Sequence, residues 1–408
     1  MRAPRRVFAV DDDPVILIIL KHCLEAGGFD VTLFDSGSDA LVQALAHPPD
    51  CLVLDVMMPG LDGLEICRLL RAEESMDATR IIVMSGKDYD SDRRRALSLG
   101  ADAFIAKPIE PTRFANQVER ILEDRIHLVA WGVRGTLPVP GPRGVRYGGN
   151  TSCVSLEFAR EPLLVFDAGT GIKALSDYLR AQNRVRIDTK VLLSHPHWDH
   201  INALPFYYPL YVPGSAVEIM GPSQGVKGVE EYLKEQMDGV YFPVTAREFA
   251  AQVSFRTLHE ESLSLGNVRI HTMLLHHPGH CLGYRVEYDG RVVCYITDNE
   301  LDPQQSGVHG GYFQKLVNFV QGADVLITDS TYTDEEYATH RQWGHSPVGE
   351  VVNLAHQAEV KTLCLFHHDP DQDADAIDRK LAQACRRLEQ LASTTRCLAP
   401  VEGEVLSI

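Results

Sequence analysis

At 408 residues the chain has room for two or three domains, and its 45% apolar and 23% charged content is ordinary for a globular protein that needs no disulfides to complete its core. A net charge of −17 and a pI near 5.4 disfavour a broad surface for long nucleic acid, although bound metal can reverse the sign locally for a small anion. The nine cysteines form no CxxC pair and lie mostly in apolar runs, the basic start soon meets Asp11, Asp12 and Asp13, and no run of eighteen apolar residues occurs; the expectation is a reduced, cytoplasmic protein without signal peptide or membrane span.

Residues 5–125 alternate short apolar strands with amphipathic helices. The strands are RVFAV (6–10), DVTLF (30–34), CLVLD (51–55), RIIVMS (80–85) and AFIAK (103–107). Helices follow each, opened by Pro14, at 38–46, after Gly63, in SDRRRALSLG (91–100) and at 111–126. Continuously apolar strands between helices predict a parallel sheet covered on both faces, a doubly wound (βα)5 domain. From residue 127 onward glycine, proline and histidine become denser and short strands succeed one another, from LVAWGV (128–133) to EVLSI (404–408), with helices at 347–358 and 374–392. A second, β-rich α/β domain is expected over 127–408, joined near 124–128 without a flexible linker.

In parallel α/β folds function gathers at the C-terminal ends of the strands. Here those ends carry Asp11 and Asp12, Asp55, Ser85 and Lys107. Clustered carboxylates suit Mg2+, Asp55 can then attack a phosphoryl group, Lys107 can neutralise the product and Ser85 can hydrogen-bond it. The stretches VDDDP, LDVMMPGLDG, VMSGKD and FIAKPIE resemble the receiver domain of bacterial response regulators. The resemblance implies that Asp55 is the phospho-acceptor and that Asp11, Asp12 and Asp55 hold Mg2+ with the Met57 carbonyl. It further implies that Ser85, Lys107 and the aromatic Phe104 make the switch, and that a sensor histidine kinase is the partner.

SHPHWDH (194–200) follows an apolar strand and packs His195, His197, Asp199 and His200 into six positions. Imidazoles two residues apart can share one metal while Asp199 and His200 reach a second; this N and O mixture suits Zn2+, with Mn2+ or Fe2+ as alternatives. The HxHxDH pattern resembles the metallo-β-lactamase superfamily, an αβ/βα sandwich. The resemblance implies that Asp167 in LLVFDAGTG buttresses the metal loop, that Asp298 in YITDNE bridges two metals, and that His367 rather than His368 is the last ligand. HHPGHCLGYRV leaves two choices: a ligand three residues before a glycine selects His280, and one six residues before Gly283-Tyr284-Arg285 selects His277, the better fit here. WGVRGTLPVPGP with RYGGNTSCV, and the segment 323–368, resemble the phosphodiesterase and transfer-RNA 3′-processing nuclease branch, in which the histidine of a GHS motif, His345 here, assists cleavage.

The expected output is a dinuclear-metal hydrolase, a phosphodiesterase on a small cyclic or dinucleotide, with Asp199, Asp298 and His345 in catalysis. The alternatives are a lactone or thioester hydrolase, or a non-catalytic metal-binding output. Control by phosphorylation of Asp55 and a homodimer are further expectations, as is an anion-binding role for the backbone of the turn Gly148-Gly149-Asn150-Thr151. Residues 201–262 are expected to line the pocket, with their aromatics equally able to pack a core.

Overall fold

The first five strands are β1 (Arg6–Val10), β2 (Asp30–Phe34), β3 (Cys51–Asp55), β4 (Arg80–Ser85) and β5 (Ala103–Ala106), and they form one parallel sheet in the order β2-β1-β3-β4-β5. The computed structural model describes every residue except 1–3, 77, 87–94, 124, 159–160, 182–185, 241 and 303–309, and divides the chain into two compact units, Met1–Arg125 and Ile126–Ile408. Residues 91–94 of the helix expected at 91–100 and the junction residue Asp124 therefore lie outside the described residues, while 95–98 are helical.

In the first unit every residue of β3 is buried, as expected for a central strand covered on both faces. The helix Pro14–Ala26 begins where proline costs nothing, its N-cap Asp13 accepting from the N–H of Val15 at 2.8 Å. Asp62 caps the helix Gly63–Arg71 in the same way, through Glu65 N at 2.8 Å.

The second unit is two seven-stranded sheets face to face. One runs β11 (Gln252–Leu258), β10 (Ala216–Pro222), β9 (Asp188–Leu192), β8 (Leu163–Phe166), β7 (Cys153–Glu157), β6 (His127–Gly132), β19 (Val405–Ser407). The other runs β12 (Ser262–Leu265), β13 (Val268–Leu274), β14 (Leu282–Tyr288), β15 (Arg291–Ile296), β16 (Val325–Asp329), β17 (Thr362–Phe366), β18 (Arg396–Leu398). Phe166, Leu192 and Leu156 from one sheet and Tyr284, Tyr295, Ile327 and Phe366 from the other share the inter-sheet core. Helix Gly171–Ala181 covers the outer face of the first sheet; helices Gly310–Val320, Val348–Gln357 and Ala374–Gln390 cover that of the second. Each fully buried Leu, Ile, Val or Phe in these layers contributes roughly 1.5–3 kcal/mol. Among the described residues no helix is long and apolar enough to cross a membrane.

Residues 201–262 are built differently from the expected pocket lining. They supply β10 and β11, paired in parallel from Ala216↔Gln252 to Pro222↔Leu258, which extend the first sheet. Tyr207 and Leu210 are fully buried core residues.

Candidate metal centre

Register brings the chemistry to one end of the sandwich. Phe166 pairs with Leu192 at the ends of β8 and β9, Ile296 with Thr328 in β15 and β16, and Asp329 with Phe366 in β16 and β17. The residues just beyond, Asp167, Ser194 to His200, Asp298 and His367, therefore emerge at one level. The loop between β13 and β14 adds His277. Asp167, Asp298 and His367 have φ of 58°, 23° and 59°, a backbone region that side-chain-bearing residues enter at about 1–3 kcal/mol each and that concentrates at functional sites.

Two half-sites share one carboxylate. In the first, His195 Nε2 lies 2.8 Å from His197 Nδ1 and His277 Nε2 lies 3.2 Å from it, and both Nε2 atoms are 3.7 Å from Asp298 Oδ2. In the second, His200 Nε2 is 3.1 Å from Asp199 Oδ2 and 3.2 Å from Asp298 Oδ1, and His367 Nε2 is 3.2 and 3.1 Å from the same two oxygens. These spacings resemble the edge of a tetrahedron with metal bonds of about 2.0–2.1 Å, which is about 3.4 Å. Imidazole nitrogens facing each other at such range cannot all be donors, and buried His200 Nε2 makes no hydrogen bond. The donor set fits divalent cations, with Asp298 within reach of both sets of imidazoles.

The outer nitrogens are held by the protein, which aims the inner ones. Ser194 Oγ lies 3.0 Å from His195 Nδ1, Asp167 Oδ2 2.8 Å from His200 Nδ1 and Thr331 Oγ1 3.1 Å from His367 Nδ1, while His277 Nδ1 donates to Gly344 O at 3.0 Å. Asp167 is itself fixed by Ser194 N (2.7 Å), Ser194 Oγ (2.9 Å) and Tyr295 OH (2.7 Å). Thr136 N donates to Asp199 Oδ2 at 2.8 Å. Gly135 has to be glycine, because a Cβ there would stand 2.2 Å from the His367 ring.

Burial works against the charge on Asp298, and the imidazoles of His367, His200 and His195 outweigh it, holding the carboxyl well below its usual range. Burial likewise opposes a charged His200, but Asp199, Asp298 and Asp167 push its pKa well up. His195 is pushed well down, mainly by burial.

His345 stands beside the second half-site, its ring stacked on His367 at 5.0 Å and its Nδ1 2.8 Å from Asp329 Oδ2. Burial opposes its charge, yet Asp329 and Asp298 raise its pKa to about 9. His280 lies apart, exposed, with Nδ1 2.9 Å from Ser223 O. His368 is buried outside the cluster, with no hydrogen-bond partner for either ring nitrogen. The turn at 148–151 does not offer its donors to an anion: Gly148 N bonds Gly144 O (2.9 Å), Asn150 N bonds Glu402 Oε1 (2.7 Å) and Thr151 N bonds Thr170 Oγ1 (2.8 Å). Glu402, 252 residues away in sequence, is what claims that turn.

Asp329, Thr331 and Glu300 escaped the sequence reading. Asp329 ends an apolar strand as Asp167 and Asp298 do, so the signal was present but carried no motif. Glu300 accepts from Gln342 N (2.6 Å), Gly344 N (2.9 Å) and Tyr337 OH (2.7 Å), a role visible only in three dimensions.

In the first unit Lys107 Nζ sits 2.6 Å from Asp11 Oδ2 and 2.5 Å from Asp55 Oδ1. Burial lowers the lysine pKa, and the two carboxylates more than reverse this. Asp11, Asp55 and Ser85 are buried, Asp12 is exposed and Phe104 is half-buried. Met57 offers its N–H to Asp55 Oδ2 at 2.7 Å.

Comparison with known proteins follows this division. The response regulator receiver domain family matches residues 7–119, and the beta-lactamase superfamily domain matches residues 163–368, half of the chain. The regulatory protein PhoP of Bacillus subtilis is 38% identical over 118 residues, 29% of this chain and 48% of PhoP; this chain thus spans about half of PhoP's length. The DNA-binding response regulator MtrA of Mycolicibacterium smegmatis is 31% identical over 172 residues, 40% of this chain and 74% of MtrA. The metallo-beta-lactamase fold protein YhfI of Bacillus subtilis superposes with a TM-score of 0.51 at 19% identity, covering 70% of this chain and all of YhfI, and so shares the fold. The chain therefore belongs to the beta-lactamase superfamily through its second unit and to the response regulators through its N-terminal receiver domain.

Proposed function

We propose that this response regulator has a phosphodiesterase as its output, acting on a small cyclic or dinucleotide. The observation that carries the reading is the pair of half-sites sharing Asp298, with His345 and Asp329 alongside. His195, His197, His277 and Asp298 would hold one divalent cation, and Asp199, His200, His367 and Asp298 the other; zinc suits the donors, with manganese or iron as alternatives. When bound, the two cations supply Lewis acidity toward a phosphoryl group and toward water. Asp298 orients both sets of imidazoles, and Thr136 N–H keeps the Asp199 carboxylate in place. Asp329 accepts a hydrogen bond from His345 Nδ1, which steadies the ring as a donor of a proton to the leaving oxygen.

A receiver implies a kinase that phosphorylates it. Asp55 is the proposed acceptor and a sensor histidine kinase the proposed partner. Asp11, Asp12, Asp55 and the Met57 carbonyl would hold Mg2+, and Ser85, Phe104 and Lys107 would make the switch. Phosphorylation would bias the output through a coupling free energy of about 1–3 kcal/mol. Equal turnover and equal oligomeric state with and without beryllofluoride would remove this coupling.

The hydrolase reading is tested by metal content and hydrolysis of bis(p-nitrophenyl) phosphate by the wild type and Asp199→Ala. Near two metals per chain with activity lost in the variant supports it. Two metals without diester turnover, but with lactone or thioester turnover, overturns the substrate class.

A further inference from the structure

Two of the three tryptophans face water beside the histidine cluster. Trp198 is 85% and Trp343 60% exposed, whereas Trp131 is buried at 8%. Trp198 lies between His197 and Asp199 at the start of the short helix Trp198–Ile201. Trp343 immediately precedes Gly344, whose carbonyl accepts from His277. His277 and His197 approach to 3.2 Å, so each tryptophan is next in the chain to a residue that belongs to, or is hydrogen-bonded to, that one pair of imidazoles.

Trp343 is presented by a built turn. Its neighbours Gln342 and Gly344 have φ of 65° and 86°, and the Glu300 carboxylate, only 8% exposed, accepts the N–H of both. A Cβ on Gly344 would stand 2.5 Å from His277, so the turn is pressed onto the cluster. The indole packs edge-on against His340 at 4.7 Å, and His340 stacks on Tyr332 at 4.7 Å and 25°. An aromatic ring held by strain and a buried carboxylate, yet left in water, is arranged for a ligand. In a chain of net charge −17, stacking also supplies affinity for an anionic substrate without a basic surface.

We propose that Trp198 and Trp343 form a stacking platform for the base of a nucleobase-bearing phosphodiester whose phosphate lies over the His/Asp cluster. The proposal rests on the phosphodiesterase reading and assigns the side chains that would hold the base of its nucleotide substrate. Glu300 is a positioning residue for this platform, acting through the 342–344 turn.

The test compares thymidine 5′-(p-nitrophenyl phosphate) with methyl p-nitrophenyl phosphate, which share a leaving group and differ in a nucleoside against a methyl group; a ribose 5-phosphate control separates base from sugar. In Trp198→Leu and Trp343→Leu the KM for the thymidine ester should rise roughly 5- to 100-fold more than that for the methyl ester. In parallel, tryptophan fluorescence of the full chain should be quenched by uridine and adenosine monophosphates but not by ribose 5-phosphate, and the double variant should lose that difference. If the wild type cleaves both esters and their KM ratio does not move in the variants, the platform is overturned and the phosphodiesterase reading stands. If neither ester is cleaved but base-dependent quenching persists, the platform stands as a nucleotide site and the hydrolase reading fails. Quenching that ribose 5-phosphate matches overturns the platform.

Discussion

The two units place acidic groups at the ends of parallel strands and neutralise them in opposite ways. In the receiver, Asp11 and Asp55 converge on Lys107, a cation from the same sheet, so the pocket is balanced by the chain itself. In the second unit, Asp199 and Asp298 converge on five imidazoles whose inner nitrogens face one another, and the buried lysine nearby, Lys380, points elsewhere, to Ser330 O, Thr331 O and Gln372 Oε1. The first pocket is balanced by its own lysine; the second gathers imidazoles and carboxylates at spacings a divalent cation would suit.

The strongest way to break this contrast is Asp298→Ala, which removes the one carboxylate both half-sites use. Metal content should fall from near two to below one per chain, and diester turnover by at least about a thousandfold. Retention of two metals would show that the half-sites are independent. Chelation should also separate the units. Loss of metals bound at a hundredfold excess over Kd removes about 2.7 kcal/mol of stability per site, and that loss should fall on the melting of residues 126–408, not on the receiver. Equal shifts in two differential-scanning transitions would count against the contrast.

A smaller effect is expected from Asp167→Asn, which touches no inner nitrogen but loosens Ser194, Tyr295 and His200 together. Metal affinity should drop about 10- to 100-fold in competition with a chromophoric chelator, with stoichiometry retained at saturation.

A pH effect concerns Lys380, which is fully buried. Burial lowers the Lys380 pKa to about 7 from 10.5, because its partners are neutral oxygens. Between those values the unfolded chain binds the proton and the folded one does not, so stability should rise with pH from about 7 to 10.5, by up to about 1.4 kcal/mol per unit. Urea unfolding of the wild type and Lys380→Met across pH 7–10 checks this; the variant should lose that slope.

Much of this protein was legible in its residues. Apolar runs such as CLVLD and TLCLF announce buried parallel strands because both faces are covered. Ligand-type residues just beyond such runs announce a site because a strand end fixes the following side chain in space. Asp11, Asp55, Lys107 and His195 follow from that local logic, while Asp199 was read from the HxHxDH motif and Asp298 and His367 from the family resemblance. What the residues left open was decided between distant segments. Whether His277 or His280 faces the cluster depends on Gly344, 67 residues on, accepting from His277. The strands β10 and β11 were missed, and in β11, at the edge of the sheet, exposed positions alternate with half-buried ones and leave no continuous apolar run. The anionic role of the 148–151 turn fell to Glu402, and the presentation of Trp343 came from Glu300. Local sequence determines which groups end a strand; only the packed sandwich decides which of the remaining lone pairs and N–H groups are already taken, because a hydrogen bond between residues far apart in the chain leaves no periodic trace in either segment.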